Sequence, residues 1–160
     1  MEIKFKKLDD NAVLPSYAKE GDAGLDLTAT SLSYDEFGNV VYGTGLAIEI
    51  PEGYVGLIFP RSSNSKQDLL LTNSVGVIDS GYRGEILLKF KHTLSEQDVD
   101  NSRRSVNLFS PDYYTEGRNY ELGDRIGQLV IIPYPKITPV FSEELSNTSR
   151  GSGSFGHTGK

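Results

Sequence analysis

Asp79, Tyr82 and Arg83 lie within eleven residues, GVIDSGYRGEI (76–86), that set a carboxylate, an aromatic ring and a guanidinium around one tight turn. Asp79-Ser80-Gly81 has hairpin-turn chemistry, with Gly81 free to adopt φ > 0. A carboxylate at such a turn can do no more than hydrogen-bond local backbone, or it can handle a proton when other polar groups gather round it. Gln128 is a polar residue on an otherwise apolar strand, Ile126 to Ile132, where period-2 alternation also allows a simple outward-facing side chain. The terminal stretch SNTSRGSGSFGHTGK (146–160) contains no acid. Its Gly/Ser content is that of a flexible terminus, yet Arg150, Phe155 and Lys160 exceed what a spacer needs.

The elements that must position these residues read as strands. Apolar residues come in short bursts between 17 Gly and 7 Pro, without helical spacing. The expected strands are Ile3 to Lys6, Leu25 to Ala29, Val40 to Ile50, Tyr54 to Phe59, Leu69 to Asn73, Gly84 to Lys91, Ile126 to Ile132 and Ile137 to Phe141. Val75, Val77 and Ile78 also lead into the hairpin as strand. One short helical turn is expected over Ser65 to Leu70. Pro51, Pro60, Pro133 and Pro139 sit at or near strand ends, where a missing N–H does least harm. Such a pattern predicts an all-β sandwich, jelly roll or barrel in a single domain, which 160 residues can fill with one core.

A net charge of −6 argues against non-specific binding to nucleic acid, which needs many phosphates neutralised at once. A small phosphorylated ligand needs only a few cations at one point. Zero Cys removes disulfides, thiolate metal sites and cysteine nucleophiles. The start MEIKFKKLDD has no apolar stretch like that of a signal peptide, and no run reaches membrane-spanning length. The chain is therefore expected to be soluble and cytoplasmic, with no membrane partner.

Five short stretches then fall in order: DAGLDL (22–27), PRSSNS (60–65), GVIDSGYRGEI (76–86), RIGQLVI (125–131) and RGSGSFGHTGK (150–160). In order and spacing they resemble the five motifs of the trimeric dUTP pyrophosphatases (dUTPases), from about residue 20 to the C-terminus. The resemblance implies a distorted β jelly roll over residues 1–145, assembled as a homotrimer with shared active sites. It also implies a C-terminal arm, 146–160, that closes over the site. The implied reaction is hydrolysis of dUTP to dUMP and pyrophosphate, which keeps uracil out of DNA and supplies dUMP.

By the same resemblance Asp79 is the general base that orients the attacking water. Mg²⁺ is the cofactor, carried by the triphosphate, and Asp26 is its outer-shell contact through water. Arg61, Ser62, Ser63 and Gln128 receive phosphates. Gly76 and Ile78 of the hairpin read the uracil edge through backbone groups, Tyr82 packs on the deoxyribose, and Asn73 also contacts the nucleotide. On the arm, Phe155 stacks on the base while Arg150, Gly156 and Thr158 approach the terminal phosphates. Arg83 and Glu85 read as a structural or intersubunit pair, and Arg125 as a structural ion-pair partner, of the neighbouring Asp124 for instance, and not a substrate ligand.

The chain departs from the family pattern in three places. Ser63 and Asn64 stand where the second motif usually has Gly and an apolar residue. Ser154 and His157 replace the usual Gly and Ser of the fifth motif. The connection at 92–120 is far longer than the family's short turn, and combines five acids and three arginines with Val106, Leu108, Phe109, Tyr113, Tyr114 and Tyr120. Its length and exposed aromatics suit a second role, the binding of a protein partner. The related dCTP deaminases typically carry Trp at the position of Tyr82 and a catalytic Glu seven residues later, where this chain has Lys89; deamination is therefore not expected.

Overall fold

In strand β8 (Glu85–His92) every second side chain from Ile86 to Phe90 is buried, while Leu87, Lys89 and Lys91 face out. This period of two directs one face of the strand to a core and the other to solvent. The computed structural model describes residues 1–93 and 119–154. The strands preceding β8 are β1 (Lys4–Lys7), β2 (Leu25–Thr28), β3 (Ser31–Tyr34), β4 (Val40–Glu49), β5 (Tyr54–Phe59), β6 (Leu69–Leu71) and β7 (Gly76–Ile78), and β9 (Arg125–Pro133) follows it. Among the described residues no helix is long and apolar enough to cross a membrane.

Two antiparallel sheets result. One runs β1-β4-β8-β6, and β3 pairs with β4 beyond the stretch taken by β1; the other runs β2-β9-β5-β7. Among the described strands from β4 to β9, each lies in the other sheet from the one before it, so the two layers are stitched together. Both contribute to one core: Val40, Tyr42, Ile48, Leu88 and Phe90 from the first, Leu27, Ile58, Ile126 and Leu129 from the second. The arrangement is the all-β jelly roll that the sequence predicts.

A bulge shapes the centre of the first sheet. The β4–β8 register shifts between Gly43 and Ala47, and Gly45 takes φ +64 there, a conformation that favours glycine. Glu85 accepts a hydrogen bond from the Gly45 N–H at 2.8 Å, and the buried Thr44 hydroxyl donates to the Ile86 carbonyl at 2.9 Å. The bulged backbone thus recovers partners that the ladder cannot supply.

Several expectations need correction. The helical turn is a 3₁₀ turn at Ser62–Lys66, earlier than Ser65 to Leu70, with Gln67 N–H bonded to Asn64 O and Ser65 Oγ to Ser62 O. β3, with SLSY exposed at all four positions, carries no burial pattern from which it could be read. Ile137 to Phe141 is not a strand: Ile137, Val140 and Phe141 are each exposed at 76% or more, and no described strand pairs with them.

Tyr42, Phe90 and Tyr120 meet edge to face or tilted, with centroids 5.8 to 6.1 Å apart. Burial pushes the Tyr42 phenol up to about 12. The unfolded chain holds it near 10. Between those values the unfolded state sheds the proton first, so stability is fully present below about pH 10 and falls as pH rises toward about 12. A thermal-melting series should show Tm level to about pH 10 and declining above it, with a shallower decline in Tyr42→Phe.

Candidate active site

β7 lies antiparallel to β5, with Gly76 opposite Ile58 and Ile78 opposite Gly56. A side chain at Gly76 would press on Ile58, its Cβ 3.2 Å away. The turn that follows closes through Tyr82 N–H to Asp79 O at 3.0 Å. Arg83 donates to the carbonyls of Ser80 and Tyr82, both at 2.7 Å, and so braces the turn; within one chain it does not pair with Glu85, which accepts from the Gly45 N–H. Tyr82 folds back across Gly84, where an added Cβ would lie 2.5 Å from the phenolic oxygen, and its hydroxyl donates to Glu85 O at 2.8 Å. The ring is therefore held as a wall.

That wall bounds a pocket of about 280 Å³. Asn73, Gly76, Ile78, Asp79 and Tyr82 all line it, as the sequence leads one to expect, together with Ile58, Val77, Glu85, Ile86 and Leu87. Its size is at the small end for ligand sites. Asp79 is exposed at this pocket, and among the described residues no hydrogen bond or ion pair engages its carboxylate. It can accept from a water. Beside Asn73, Ser74 adopts φ 61, an uncommon conformation for a residue other than glycine, held by Ser74 N–H to Leu71 O at 3.0 Å.

A second polar cluster forms around Asp26. Cross-strand register sets Asp26 opposite Gln128, and Gln128 opposite Phe59, two residues before Arg61. Arg61 Nε meets one Asp26 oxygen at 3.0 Å, Arg125 meets the other at 2.8 Å, and Gln128 donates at 3.4 Å. Arg125 thus pairs across the sheet and not with Asp124, whose carboxylate accepts from Glu121 N–H at 2.8 Å. Ser63 accepts from Arg61 at 3.4 Å, and Ser62 is exposed at the start of the 3₁₀ turn.

The donors suit a cation that brings most of its own ligands. Asp26 is already shared by two guanidinium groups, and among the described residues no group of three or more His, Cys, Asp or Glu could hold a metal ion. Magnesium commonly takes one or two carboxylates and completes its shell with water and phosphate.

Pocket and cluster are separate within one chain. β2 and β7 are opposite edges of their sheet. Moreover β7 starts beside Ile58 and runs toward Gly56, carrying Asp79 away from the Arg61 end of β5. None of Asp26, Arg61, Ser62, Ser63 or Gln128 lines the pocket. Arg150 joins neither group; it donates to Gly153 O at 3.0 Å in an exposed turn. Phe155, Gly156 and Thr158 lie outside the described residues, as does 94–118 of the long connection. Sequence reasoning missed Tyr120, buried between the two sheets, whose only signal was an aromatic at the end of a polar stretch.

A family model described as dUTPase matches residues 10–101. The chain is 40% identical to the deoxyuridine 5'-triphosphate nucleotidohydrolase of Hydrogenobaculum sp. (strain Y04AAS1), over 99% of both chains. It is 37% identical to that of Rhodococcus erythropolis, over 99% of this chain and 87% of the relative. A mutant of the Staphylococcus bacteriophage 80alpha dUTPase, solved with dUpNHpp, superposes with a TM-score of 0.78 at 32% identity, covering 99% of each chain. Another structure of the 80alpha enzyme, with a TM-score of 0.78, 30% identity and 99% coverage of each chain, is described with the statement that phage dUTPases control transfer of virulence genes by a G protein-like mechanism. A mutant dUTPase from phage phi11 of S. aureus, described with a structural Mg(II) ion, gives 0.67 at 28% identity over 90% of this chain and 98% of that one. With a family model spanning more than half its length and relatives matching it from end to end, this chain belongs to the dUTPase family.

Proposed function

We propose that this chain hydrolyses dUTP to dUMP and pyrophosphate, in a homotrimer where the hairpin pocket of one subunit faces the Asp26 cluster of another. The observation that carries the reading is Asp79, an unengaged carboxylate at a pocket walled by Tyr82. Asp79 orients a water and takes its proton as the new O–P bond forms at the α-phosphorus and the bridging P–O bond breaks, releasing pyrophosphate. Asp26 would hold Mg²⁺ through water, and the ion, bound with the triphosphate, would supply charge neutralisation and polarisation of the phosphorus.

Backbone groups of Gly76 and Ile78 read the uracil edge, since O4 accepts and N3–H donates where cytosine does the reverse. Tyr82, tethered through its hydroxyl, leaves no room for a 2′-hydroxyl. Arg61, Ser62, Ser63 and Gln128 receive phosphates, and Asn73 contacts the nucleoside. Residues 1–145 make the β domain; the arm at 146–160 closes over the site with Arg150, Phe155, Gly156 and Thr158, excluding water.

Trimerisation is supported by the separation of pocket and cluster in one chain. It is also supported by Ile137, Val140, Phe141 and Leu145, an apolar run exposed at 76% or more that a neighbouring subunit can cover. A second role beside hydrolysis, the binding of a protein partner through 92–120, rests on the length and composition of that segment; a phage neighbour described as controlling gene transfer is in keeping with a role beyond hydrolysis.

Pyrophosphate release should occur from dUTP with Mg²⁺ and not from dCTP, dTTP or UTP. Asp79→Asn should keep nucleotide binding and lose about 10²- to 10⁴-fold in turnover; unchanged turnover would remove Asp79 as base. Mixing inactive Asp79→Asn and Arg61→Ala chains, with unfolding and refolding to exchange subunits, should restore roughly a quarter of wild-type turnover if each site draws on two subunits. No recovery would mean that each site belongs to one chain. Deleting residues 95–115 should leave hydrolysis within about twofold, since the second role is separate from catalysis; joint loss of trimer and activity would make the segment structural.

A further inference from the structure

We propose that Tyr120 and Asn64 form a buried clasp that sets the position of the phosphate-receiving turn at Arg61 to Ser63. The inference rests on the reading that this turn holds phosphates. Its starting point is a pair of buried hydrogen bonds. The Tyr120 phenol donates to Asn64 Oδ1 at 3.2 Å, and Asn64 Nδ2 donates to Leu69 O at 2.7 Å. Asn64 follows Ser63 directly in the turn, where Arg61 donates to Ser63 Oγ at 3.4 Å.

The phenol is held independently of the turn. Tyr120 is 4% exposed, its carbonyl accepts from the Tyr42 hydroxyl at 3.0 Å, and its ring packs on Tyr42 and Phe90. The turn, by contrast, is one short 3₁₀ stretch whose N-cap, Arg61, makes no side-chain capping bond. Short 3₁₀ pieces have poor hydrogen-bond geometry and are fixed by their surroundings. Two anchors hold this one: Asp26, which Arg61 Nε meets at 3.0 Å, and the phenol, which reaches the turn through Asn64. Asn64 is also one of the two residues at which the second motif departs from the family pattern, and its amide oxygen is what the phenol meets. Tyr120 and Asn64 are therefore positioning residues: they touch no substrate and act through Arg61 and Ser63.

Affinity for dUpNHpp and for dUMP, together with urea midpoints, tests this in the intact protein. Tyr120→Phe should weaken dUpNHpp binding about five- to tenfold and dUMP binding less, and should lower the urea midpoint because Asn64 Oδ1 is left buried and unpaired. Ile48→Val, a core change away from the turn, should lower the urea midpoint and leave dUpNHpp affinity at the wild-type value. A purely structural role would make the two variants lose affinity alike, and that outcome overturns the clasp, as would wild-type affinity in Tyr120→Phe. Arg61→Ala separates the two levels. If it loses dUpNHpp affinity while Tyr120→Phe does not, only the clasp fails; if neither variant loses it, the phosphate reading of the turn fails with it.

Discussion

A carboxylate out of water must be matched by positive charge, and Asp26, with 6% of its side chain exposed, is matched twice. Desolvating an ion costs several kcal/mol, and removing one partner from a buried pair leaves the other uncompensated. Asp26 therefore binds together three stretches distant in sequence: β2, which carries it, the end of β5, which delivers Arg61, and β9, which delivers Arg125 and Gln128. The second and fourth motifs are held in place because the first supplies their common counter-ion. A mostly satisfied carboxylate also leaves the arginines only partly neutralised, with net positive charge at the cluster for an incoming anion.

The hairpin follows a different plan. There the charged side chains are spent on backbone: Arg83 on two turn carbonyls, Glu85 on the bulge at Gly45. Asp79 is left over. Its availability depends on its neighbours having local work, and Tyr82 is likewise fixed by its own strand through Glu85 O. The pocket thus has one wall fixed by a hydrogen bond to its own strand and a carboxylate open to solvent beside it.

Much of this was legible in the chain. The period-2 burial of Ile86, Leu88 and Phe90 is written in the alternation of β8, and the Asp-Ser-Gly turn placed Asp79 at a pocket mouth. What could not be read depended on partners far along the chain. Arg125 and Asp124 are adjacent, yet the former's partner stands 99 positions away across a sheet. Arg83 and Glu85 look complementary, but each found a backbone partner, and local spacing carries no trace of the Gly45 bulge. Ile137 to Phe141 has strand composition and no strand, because propensity supplies a surface and not the neighbour that must pair with it. Tyr120 was hidden for the opposite reason, being a core residue embedded in polar sequence.

In the proposed trimer, the run from Ile137 to Leu145, uncovered in a lone chain, ties endurance to abundance. A chain that covers its apolar surface only in company gains stability by mass action, so its melting point climbs with protomer concentration and sinks on dilution. Scarce copies are the first to expose this segment, and the first that proteases or aggregation remove.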